Sequence, residues 1–323
     1  MYLVPDGEEL EIASAAADYL AAAMPIDRLH HADSADMDAA LRTSLGEMGW
    51  FGLSLPDSAG GSGLSPIEHA LFFREAGRQC GPIDVLTQCL AAMVADHAAL
   101  HSDILDGKVG VSLVVADGAG FRTLGSPKAQ YYLRADRQSA ELYPTAEAGA
   151  QPRASLDPAT SQQLLSSLPA AIAALTGDHV WTMGQLGSAA MLVGIAEAAL
   201  DQIVEYAKVR ETFGRKIGSW QAVRHPCADM AVRVEAARSQ LWYAAAAMKE
   251  LRADAAAHLD AAKHLANQAA VANADSNIQL HGGIGVTDEH HAHLYLKHGL
   301  VLARMFGGKR ELLGRMLHAR VED

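Results

Sequence analysis

The stretch YAKVRETFGRKIGSWQAVRHPCADM, residues 206–230, carries the strongest indication of the fold. It places Arg210 and Phe213 at the end of a predicted helix, directly before a tight turn at Gly214. A guanidinium in that position can donate a forked pair of hydrogen bonds to a phosphate, and a phenyl ring can stack on a heterocycle. The stretch therefore indicates a helical fold with a turn suited to a phosphate-bearing heterocyclic ligand.

A second stretch, NIQLHGGIGVT at residues 277–287, follows another predicted helix. Its adjacent Gly282 and Gly283 allow backbone N–H groups to approach a phosphate closely, just before the next helix begins. Taken alone, a Gly-Gly pair is more often an ordinary turn than a ligand site. The two stretches indicate a ligand site only because they occur together.

Composition sets the broad class of the protein. Among 323 residues, 50% are hydrophobic and 20% are charged, which is typical of a globular chain. The abundance of Ala and the 6% aromatic content favour closely packed helices. A net charge of −12 argues against a nucleic-acid partner, because phosphate backbones are bound by basic surfaces.

The sequence predicts a cytoplasmic protein. The sequence contains no uninterrupted run of 18 apolar residues, so no membrane span is predicted. The N-terminus MYLVPDGEEL lacks the pattern of a signal peptide. Three scattered cysteines, Cys80, Cys89 and Cys227, fit a reducing compartment.

Three regions of the chain differ in their predicted secondary structure. Residues 1–105 predict a helical domain, with Ser65, Pro66 and Glu68 forming a helix start of the capping-box type. Residues 106–176 predict a small β-rich domain, with a polar stretch at 155–167 that shows no clear pattern. Residues 177–323 predict a bundle of long helices. Its seam repeats at steps of four and three residues through Met230, Val234, Ala237, Leu241, Ala245 and Met248.

Together these motifs resemble the acyl-CoA dehydrogenase family. The resemblance extends to LGEMGWFGL at 45–53 and to AAMLVGIAEAALD at 189–201. It implies a mainly α fold with an N-terminal helical domain, a middle β-domain that is reduced here, and a C-terminal four-helix bundle. It also implies a dimer or tetramer that holds FAD at a subunit interface.

The resemblance assigns a flavin-contacting role to residues of both stretches. Arg210 and Phe213 would contact the pyrophosphate and adenine of a flavin held mainly by the neighbouring subunit, and Gln221 matches a further residue of this patch. The same dinucleotide tail would be lined by Gln279, Gly282 and Gly283. The alternative interpretation is that these residues only cap helices.

The general base of the family reaction is missing from this sequence. The family removes two hydrogens across Cα–Cβ of an acyl-CoA, and a Glu takes the α-proton. Ungapped counting from Gly282-Gly283 places Phe306 at the usual position of that Glu. A minority of the family carries the base on the first helix of the bundle, where this chain has Gly184. Neither residue accepts a proton, so no catalytic residue is predicted.

The middle region departs from the family as well. Nothing in 109–176 matches the loop and strand that hold the flavin ring; Asp117 to Gly120 resembles that loop poorly, and Trp181 lies too late. These losses favour a non-catalytic subunit of an α2β2 complex, similar to the short subunits of bacterial steroid-CoA dehydrogenases. A sister subunit would carry the catalytic Glu and the acyl-CoA, and an electron-transfer flavoprotein is the family's usual acceptor.

Two other interpretations remain open. One is a self-sufficient homomeric dehydrogenase with an unusual base, for which Glu311 is a candidate, although a solvated helix-surface charge is favoured there. The other is a flavin-free scaffold. The sequence also contains a cluster of histidines at 281, 290, 291, 293 and 298. We interpret them as surface residues rather than as ligands, and no metal is predicted.

Overall fold

The computed structural model describes residues 5–31, 37–146 and 148–321. The described helices are α1 (Gly7–Ala23), α2 (Ala39–Glu47), α3 (Pro66–Arg78), α4 (Ile83–Val94), α5 (Ala98–Leu105), α6 (His179–Val209), α7 (Gln221–Lys249), α8 (Ala255–His281), α9 (Ala292–Leu302) and α10 (Lys309–Met316). The described strands are β1 (Val111–Asp117), β2 (Gly120–Leu124), β3 (Tyr131–Ala135), β4 (Ser139–Pro144), β5 (Gln151–Arg153), β6 (Gln162–Leu165), β7 (Ala173–Thr176), β8 (Glu211–Thr212) and β9 (Arg215–Lys216). The predicted mainly α fold with a sheet in the middle of the chain is confirmed.

Contact density divides the chain into two compact units. One contains the described residues of His31–His69 and Gly81–Gln185, and the other those of Met1–His30, Ala70–Cys80 and Leu186–Asp323. The predicted domain boundaries at 105 and 176 follow chain order and stay a prediction.

The first unit contains a seven-stranded sheet in the order β5–β6–β2–β1–β3–β4–β7. Every pair is antiparallel except β1 with β3. Val114, Tyr132, Tyr143 and Leu165 form a buried cluster on it. The polar stretch 155–167 contains β6, which is held by pairing with β2 rather than marked by an apolar pattern of its own.

The side chain of Gln88 ties α4 to the start of the sheet. It is fully buried, donates to the backbone oxygens of Ile104 and Val109, and accepts from the N–H of Val111 at 3.2 Å. One amide thereby satisfies backbone groups that burial would otherwise leave unpaired. Gln88 fixes the register of the first strand against α4.

The second unit contains the helical bundle. Along the predicted seam of α7, Met230, Val234, Ala237, Leu241 and Ala245 are buried, as predicted, and Met248 is half-buried. Glycines allow α3 and α6 to cross closely. A Cβ at Gly77 would lie 2.0 Å from the backbone oxygen of Met191, and one at Gly194 would lie 2.0 Å from that of Arg74. Any larger residue would force these helices apart.

Among the described residues, α6 is the one helix long and apolar enough to cross a membrane by length and composition. Within its most apolar stretch, 94% of the residues are buried inside the protein. That degree of burial is typical of a core helix, which is apolar all round because other elements surround it.

Candidate functional site

Helix direction brings the two sequence stretches to the same end of the bundle. Because α6, α7 and α8 follow one another up and down, α6 and α8 end where α7 begins. Side-chain contacts join the two ends: Asn277 Nδ2 donates to Gln202 Oε1 at 2.7 Å, and the rings of Tyr206 and His281 lie 4.4 Å apart. This bundle end presents the exposed predicted site residues Arg210, Phe213, Gln221, Gln279, Gly282 and Gly283.

A short hairpin formed by β8 and β9 carries the aromatic residue of this end. Its two turn residues, Phe213 at φ 51° and Gly214 at φ 77°, are both left-handed, as a two-residue hairpin of type I′ requires. The side chain of Phe213 is 94% exposed, although aromatic side chains are usually buried. Its positive φ is also uncommon for a bulky residue. Arg215 lies over the ring of Trp220 at 3.4 Å, which anchors the base of the hairpin.

The guanidinium of Arg210 lies exposed beside this hairpin. It makes no hydrogen bond or ion pair with any residue that the structure describes. The end of α6 is capped instead by Lys216, whose Nζ donates to the backbone oxygen of Val209 at 3.1 Å and pairs with Glu211 at 2.7 Å. Helix capping therefore does not account for Arg210.

Backbone groups complete the bundle end. Gln221 is the first residue of α7, so the exposed N–H groups and positive dipole of that helix start point to the same end. Gly282 ends α8 at φ 68°, and no atom of the residues that the structure describes lies within 4 Å of a Cβ placed on Gly282 or Gly283. A free guanidinium, an exposed ring, a helix start and open glycine backbone fit the phosphate and heterocycle of a dinucleotide.

Histidines behind Gly282 add no charge to this end at neutral pH. His281 is buried and hydrogen-bonded through Nδ1 to the backbone oxygen of Asn277 at 2.8 Å. Burial lowers the pKa of His281, and burial with neighbouring histidines lowers the pKa of His290 to about 4. Both imidazoles are therefore neutral at pH 7.

The predictions for the histidine cluster are partly wrong. The spacing in the sequence predicts that His290 and His293 share a helical face, but His290 precedes α9 and lies outside that helix. His281, His293 and His298 are buried rather than on the surface. Across the described ranges, no group of three or more His, Cys, Asp or Glu side chains is arranged to hold a metal ion.

Comparison with known proteins identifies the family. Residues 6–102 match the model of the acyl-CoA dehydrogenase N-terminal domain, and residues 180–322 match that of the C-terminal domain. Acyl-CoA dehydrogenase IpdE2 of Mycobacterium tuberculosis is 32% identical over 282 residues, which cover 84% of this chain and 83% of IpdE2. The chain belongs to the acyl-CoA dehydrogenase family.

Two further similarities bear on this assignment. Acyl-CoA dehydrogenase FadE34 of Mycobacterium tuberculosis is 33% identical over 303 residues, but the match spans 88% of this chain and only 42% of FadE34. A variant of the Tcur3481-Tcur3483 steroid ACAD has a solved structure that superposes with a TM-score of 0.79. It is 25% identical, and the match covers 96% of this chain and 97% of that one. The predicted acyl-CoA dehydrogenase fold is thus confirmed, in a family of FAD-binding oxidoreductases.

Phe306 and Gly184, the two positions at which the family's catalytic base is expected, are both buried. Phe306, between α9 and α10, is 5% exposed and has φ 50°. Gly184 lies buried in the first turns of α6, next to Gln185, which accepts a hydrogen bond from Arg137 at 3.1 Å. Glu311 pairs with Arg315 one turn along α10, which supports a structural role for that carboxylate. That Phe306 occupies the place of the family's base stays a prediction.

Structure also explains the weak resemblances in the middle region. Asp117 and Gly120 are ladder partners at the β1–β2 turn, and Asp117 pairs with Arg122 at 2.7 Å. Trp181 lies in α6 under the guanidinium of Arg137, whose centre is 5.7 Å from the ring. These contacts assign both segments to the local structure of the sheet-containing unit.

Sequence patterns missed one unusual residue, Lys263 of α8. Its side chain is fully buried, and Nζ donates to the backbone oxygen of Leu302 at 2.8 Å. Burial lowers the pKa of this ammonium group well below its usual value. No signal marks it in the sequence, because a lysine in an Ala-rich helix is ordinarily solvent-facing.

Proposed function

We propose that this chain is the non-catalytic subunit of an FAD-dependent acyl-CoA dehydrogenase complex. Phe306 is the observation that carries the proposal. A buried phenyl ring stands at the position that ungapped counting assigns to the base, and the alternative position is Gly184. Because neither residue accepts a proton, a sister subunit of the same family must supply the catalytic carboxylate.

This chain contributes contacts to the dinucleotide tail of FAD bound mainly by the sister subunit. Arg210 donates to the pyrophosphate, Phe213 packs on the adenine, and Gln221, Gln279, Gly282 and Gly283 line the tail. Two observations support this role: the guanidinium of Arg210 makes no hydrogen bond or ion pair with a described residue, and the ring of Phe213 remains 94% exposed although it contacts Trp220 edge-on. FAD itself supplies the acceptor for the hydride that leaves the substrate β-carbon.

Two similarities support a proposal for the substrate. IpdE2 is an acyl-CoA dehydrogenase, and the Tcur3481-Tcur3483 protein is a steroid ACAD that pairs two gene products by name. By likeness to them, the complex is an α2β2 assembly that dehydrogenates a bulky acyl-CoA such as a steroid-derived thioester. The acceptor of its electrons is an electron-transfer flavoprotein, and the complex works in the cytoplasm.

Flavin counting tests the proposal. The chain is purified alone and after co-expression with the acyl-CoA dehydrogenase family member encoded next to it, and FAD is quantified by absorbance after denaturation. We expect little or no flavin on the isolated chain and one FAD per pair of chains in the complex. Sedimentation velocity provides the chain stoichiometry on the same samples.

Each alternative has its own outcome in this experiment. A yellow homomer that oxidises an acyl-CoA would replace the proposal with a self-sufficient enzyme. A chain that stays colourless with every co-expressed family member would indicate a flavin-free scaffold. Either result would end the non-catalytic subunit hypothesis.

A further inference from the structure

Five aromatic rings form a continuous stack behind the glycines of the bundle end. The ring of Tyr206 on α6 is centred 4.4 Å from that of His281 at the end of α8, which is centred 4.3 Å from the ring of His290. The next steps are 6.4 Å from His290 to His291 and 5.0 Å from His291 to His30. All five residues belong to the same compact unit, so this ring stack joins elements that lie far apart in the sequence.

The ring stack holds a connector, residues 282–291, that links α8 to α9 at the bundle end. Gly285 is the one buried residue of this described segment, and the side chains of Ile284 and Val286 are exposed. Apolar burial therefore does little to fix the connector, and segments of this kind open locally at low cost. Ring contacts through His281, directly before the connector, and His290, near its end, hold it at both ends.

His290 serves as an acceptor at the start of α9. Its Nδ1 accepts a hydrogen bond at 3.2 Å from the backbone N–H of Ala292, the first residue of that helix. The first N–H groups of a helix have no partner within the helix, so this imidazole satisfies one of them. An acceptor nitrogen needs a lone pair, which both nitrogens of a charged imidazole lack. Proton uptake at Nδ1 therefore breaks this hydrogen bond.

The second inner histidine of the stack, His281, is held in the neutral form as well. Its Nδ1 donates to the backbone oxygen of Asn277 at 2.8 Å, so the lone pair lies on Nε2. This Nε2 is buried and has no hydrogen-bond partner among the residues that the structure describes. A second proton on this ring would create a buried cation without an acceptor, which is strongly unfavourable.

The carboxylates that face the stack serve its outer histidines. Asp27 Oδ1 lies 2.9 Å from His291 Nε2, and Asp288 Oδ1 lies 3.9 Å from His293 Nε2. Glu289 is exposed and forms no ion pair with a histidine of the described ranges. The two inner histidines, 281 and 290, likewise have no carboxylate partner in the described part of the chain. None of these carboxylates therefore compensates a positive charge on them.

Positive charge around the stack acts in the opposite sense. Burial and the neighbouring histidines lower the pKa of His290 to about 4, and burial lowers the pKa of His281. Lys297 on α9 adds a further positive charge beside His293. A solvated imidazole has an ordinary pKa near 6.5. Below that pH an opened connector binds protons that the closed form does not bind, so opening becomes easier as the pH falls towards 4.

We propose that acidification opens the connector between α8 and α9 through protonation of His281 and His290. Opening separates the ring of His290 from the start of α9 and that of His281 from Tyr206, so Gly282 and Gly283 leave their places at the bundle end. The opening itself does not depend on a flavin. Its consequence for the complex, weaker FAD binding at acid pH, rests on the proposed function.

Amide hydrogen exchange of the full chain, followed by mass spectrometry at pH 7 and pH 5, tests the opening. Each rate is divided by the chemical exchange rate at the same pH, so that the opening equilibrium remains. For peptides spanning 284–295 the opening constant should rise at least about twentyfold, the linkage value for one histidine whose pKa changes from about 4 to about 6.5. Urea below about 1 M should leave this exchange unchanged, because a local opening exposes little surface.

Three variants identify the histidines responsible. His290→Asn keeps an acceptor for the N–H of Ala292 but takes up no proton, so it should remove about twentyfold of the rise between pH 7 and pH 5. His281→Asn keeps a donor for the oxygen of Asn277 and should remove a further part. His225→Asn replaces an exposed histidine in the first turns of α7 and should respond to pH as wild type does. Circular dichroism at pH 7 checks folding, and His290→Gln replaces His290→Asn if the latter does not fold.

Three results would overturn the proposal. These are an opening constant at 284–295 that is independent of pH, a pH dependence that the neutral replacements leave unchanged, or exchange that occurs only through global unfolding in urea. FAD titration into the complex at pH 7 and pH 5 provides a separate answer. If the connector opens at pH 5 while FAD affinity stays constant, the acid-sensitive connector is supported and the flavin contact of Gly282 and Gly283 is excluded.

Discussion

Arg210 is the residue on which the proposed flavin-contacting role depends most directly. Its guanidinium is exposed beside the hairpin, and Lys216 rather than Arg210 caps α6. In the complex with its sister subunit, Arg210→Ala should lower FAD affinity by about tenfold to hundredfold, the value of a charge-assisted bidentate contact. Arg210→Lys should recover only part of it, because lysine lacks the planar fork.

FAD titration into the apo-complex measures both variants, with circular dichroism of the isolated chain as a folding control. Lys216→Ala is the informative comparison, since it removes a cation a few residues away that already has its partners. Equal affinities for wild type and Arg210→Ala would remove the main support for this role.

Lys263 makes the stability of the folded chain depend on pH. Its pKa is lowered by burial in the folded chain, whereas an unfolded lysine holds its proton up to about pH 10.4. Between the folded-state pKa and about pH 10.4 the unfolded state therefore binds more protons, and stability rises with pH over that range. Lys263→Met removes this term and should raise stability at pH 7 by about 1–3 kcal/mol, even after loss of the bond to Leu302.

Urea unfolding at pH 7 and pH 9.5 measures the effect, and the advantage of Lys263→Met should shrink at the higher pH. Lys128→Met, at an exposed lysine, should show no such convergence. Parallel pH profiles for wild type and Lys263→Met would show that the ammonium is not desolvated as described.

The hairpin of β8 and β9 allows folding and ligand contact to be separated at the scale of an element. Its turn requires two left-handed residues, and asparagine before glycine is the preferred pair there. Phe213→Asn should therefore preserve or slightly stabilise the hairpin, because phenylalanine at φ 51° is strained. The same change removes the exposed ring and should weaken FAD binding to the complex about tenfold, the value of base–aromatic stacking.

Thermal unfolding and FAD titration of the same variant provide the two measurements. Gly214→Val serves as the opposite control, since valine disfavours the left-handed backbone at φ 77° and should disrupt the hairpin. If Phe213→Asn binds FAD as wild type does, the exposed ring has another purpose.

At the scale of the whole molecule, we propose that the sister subunit performs catalysis and that this chain contributes contacts to FAD. Phe306→Leu keeps the buried side chain apolar and close in size, so the fold should tolerate it at a cost below about 1.5 kcal/mol. Under this proposal the sister subunit carries the catalytic carboxylate, so kcat of the complex should change less than about threefold, far below the 10²–10⁴-fold contribution of a general base.

Steady-state kinetics of the complex with its acyl-CoA checks this expectation. Replacing the catalytic Glu of the sister subunit with Gln should abolish turnover in the same assay. A large loss of kcat in Phe306→Leu, with flavin content unchanged, would instead place this loop in the reacting centre.

The sequence alone determined those features that local patterns specify. Repeats at steps of three and four predict α7 and its buried seam, and glycine-containing motifs at 206–230 and 277–287 predict the family and the candidate residues at the ends of α6 and α8. The predictions of the helix, its buried seam and the family are confirmed, because helix periodicity and turn chemistry depend on neighbours within a few residues. The flavin-contacting role of the candidate residues stays a prediction.

Only the tertiary structure decided the rest. The strands β5 (QPR) and β6 (QQLL) are short and have no alternating apolar pattern, and pairing with distant strands fixes them. The burial of Lys263 and the capping of α6 by Lys216 depend on contacts that are not encoded in local spacing. Hydrogen bonding and desolvation are set by which segments meet in space, so a pattern that reports local neighbours cannot specify them.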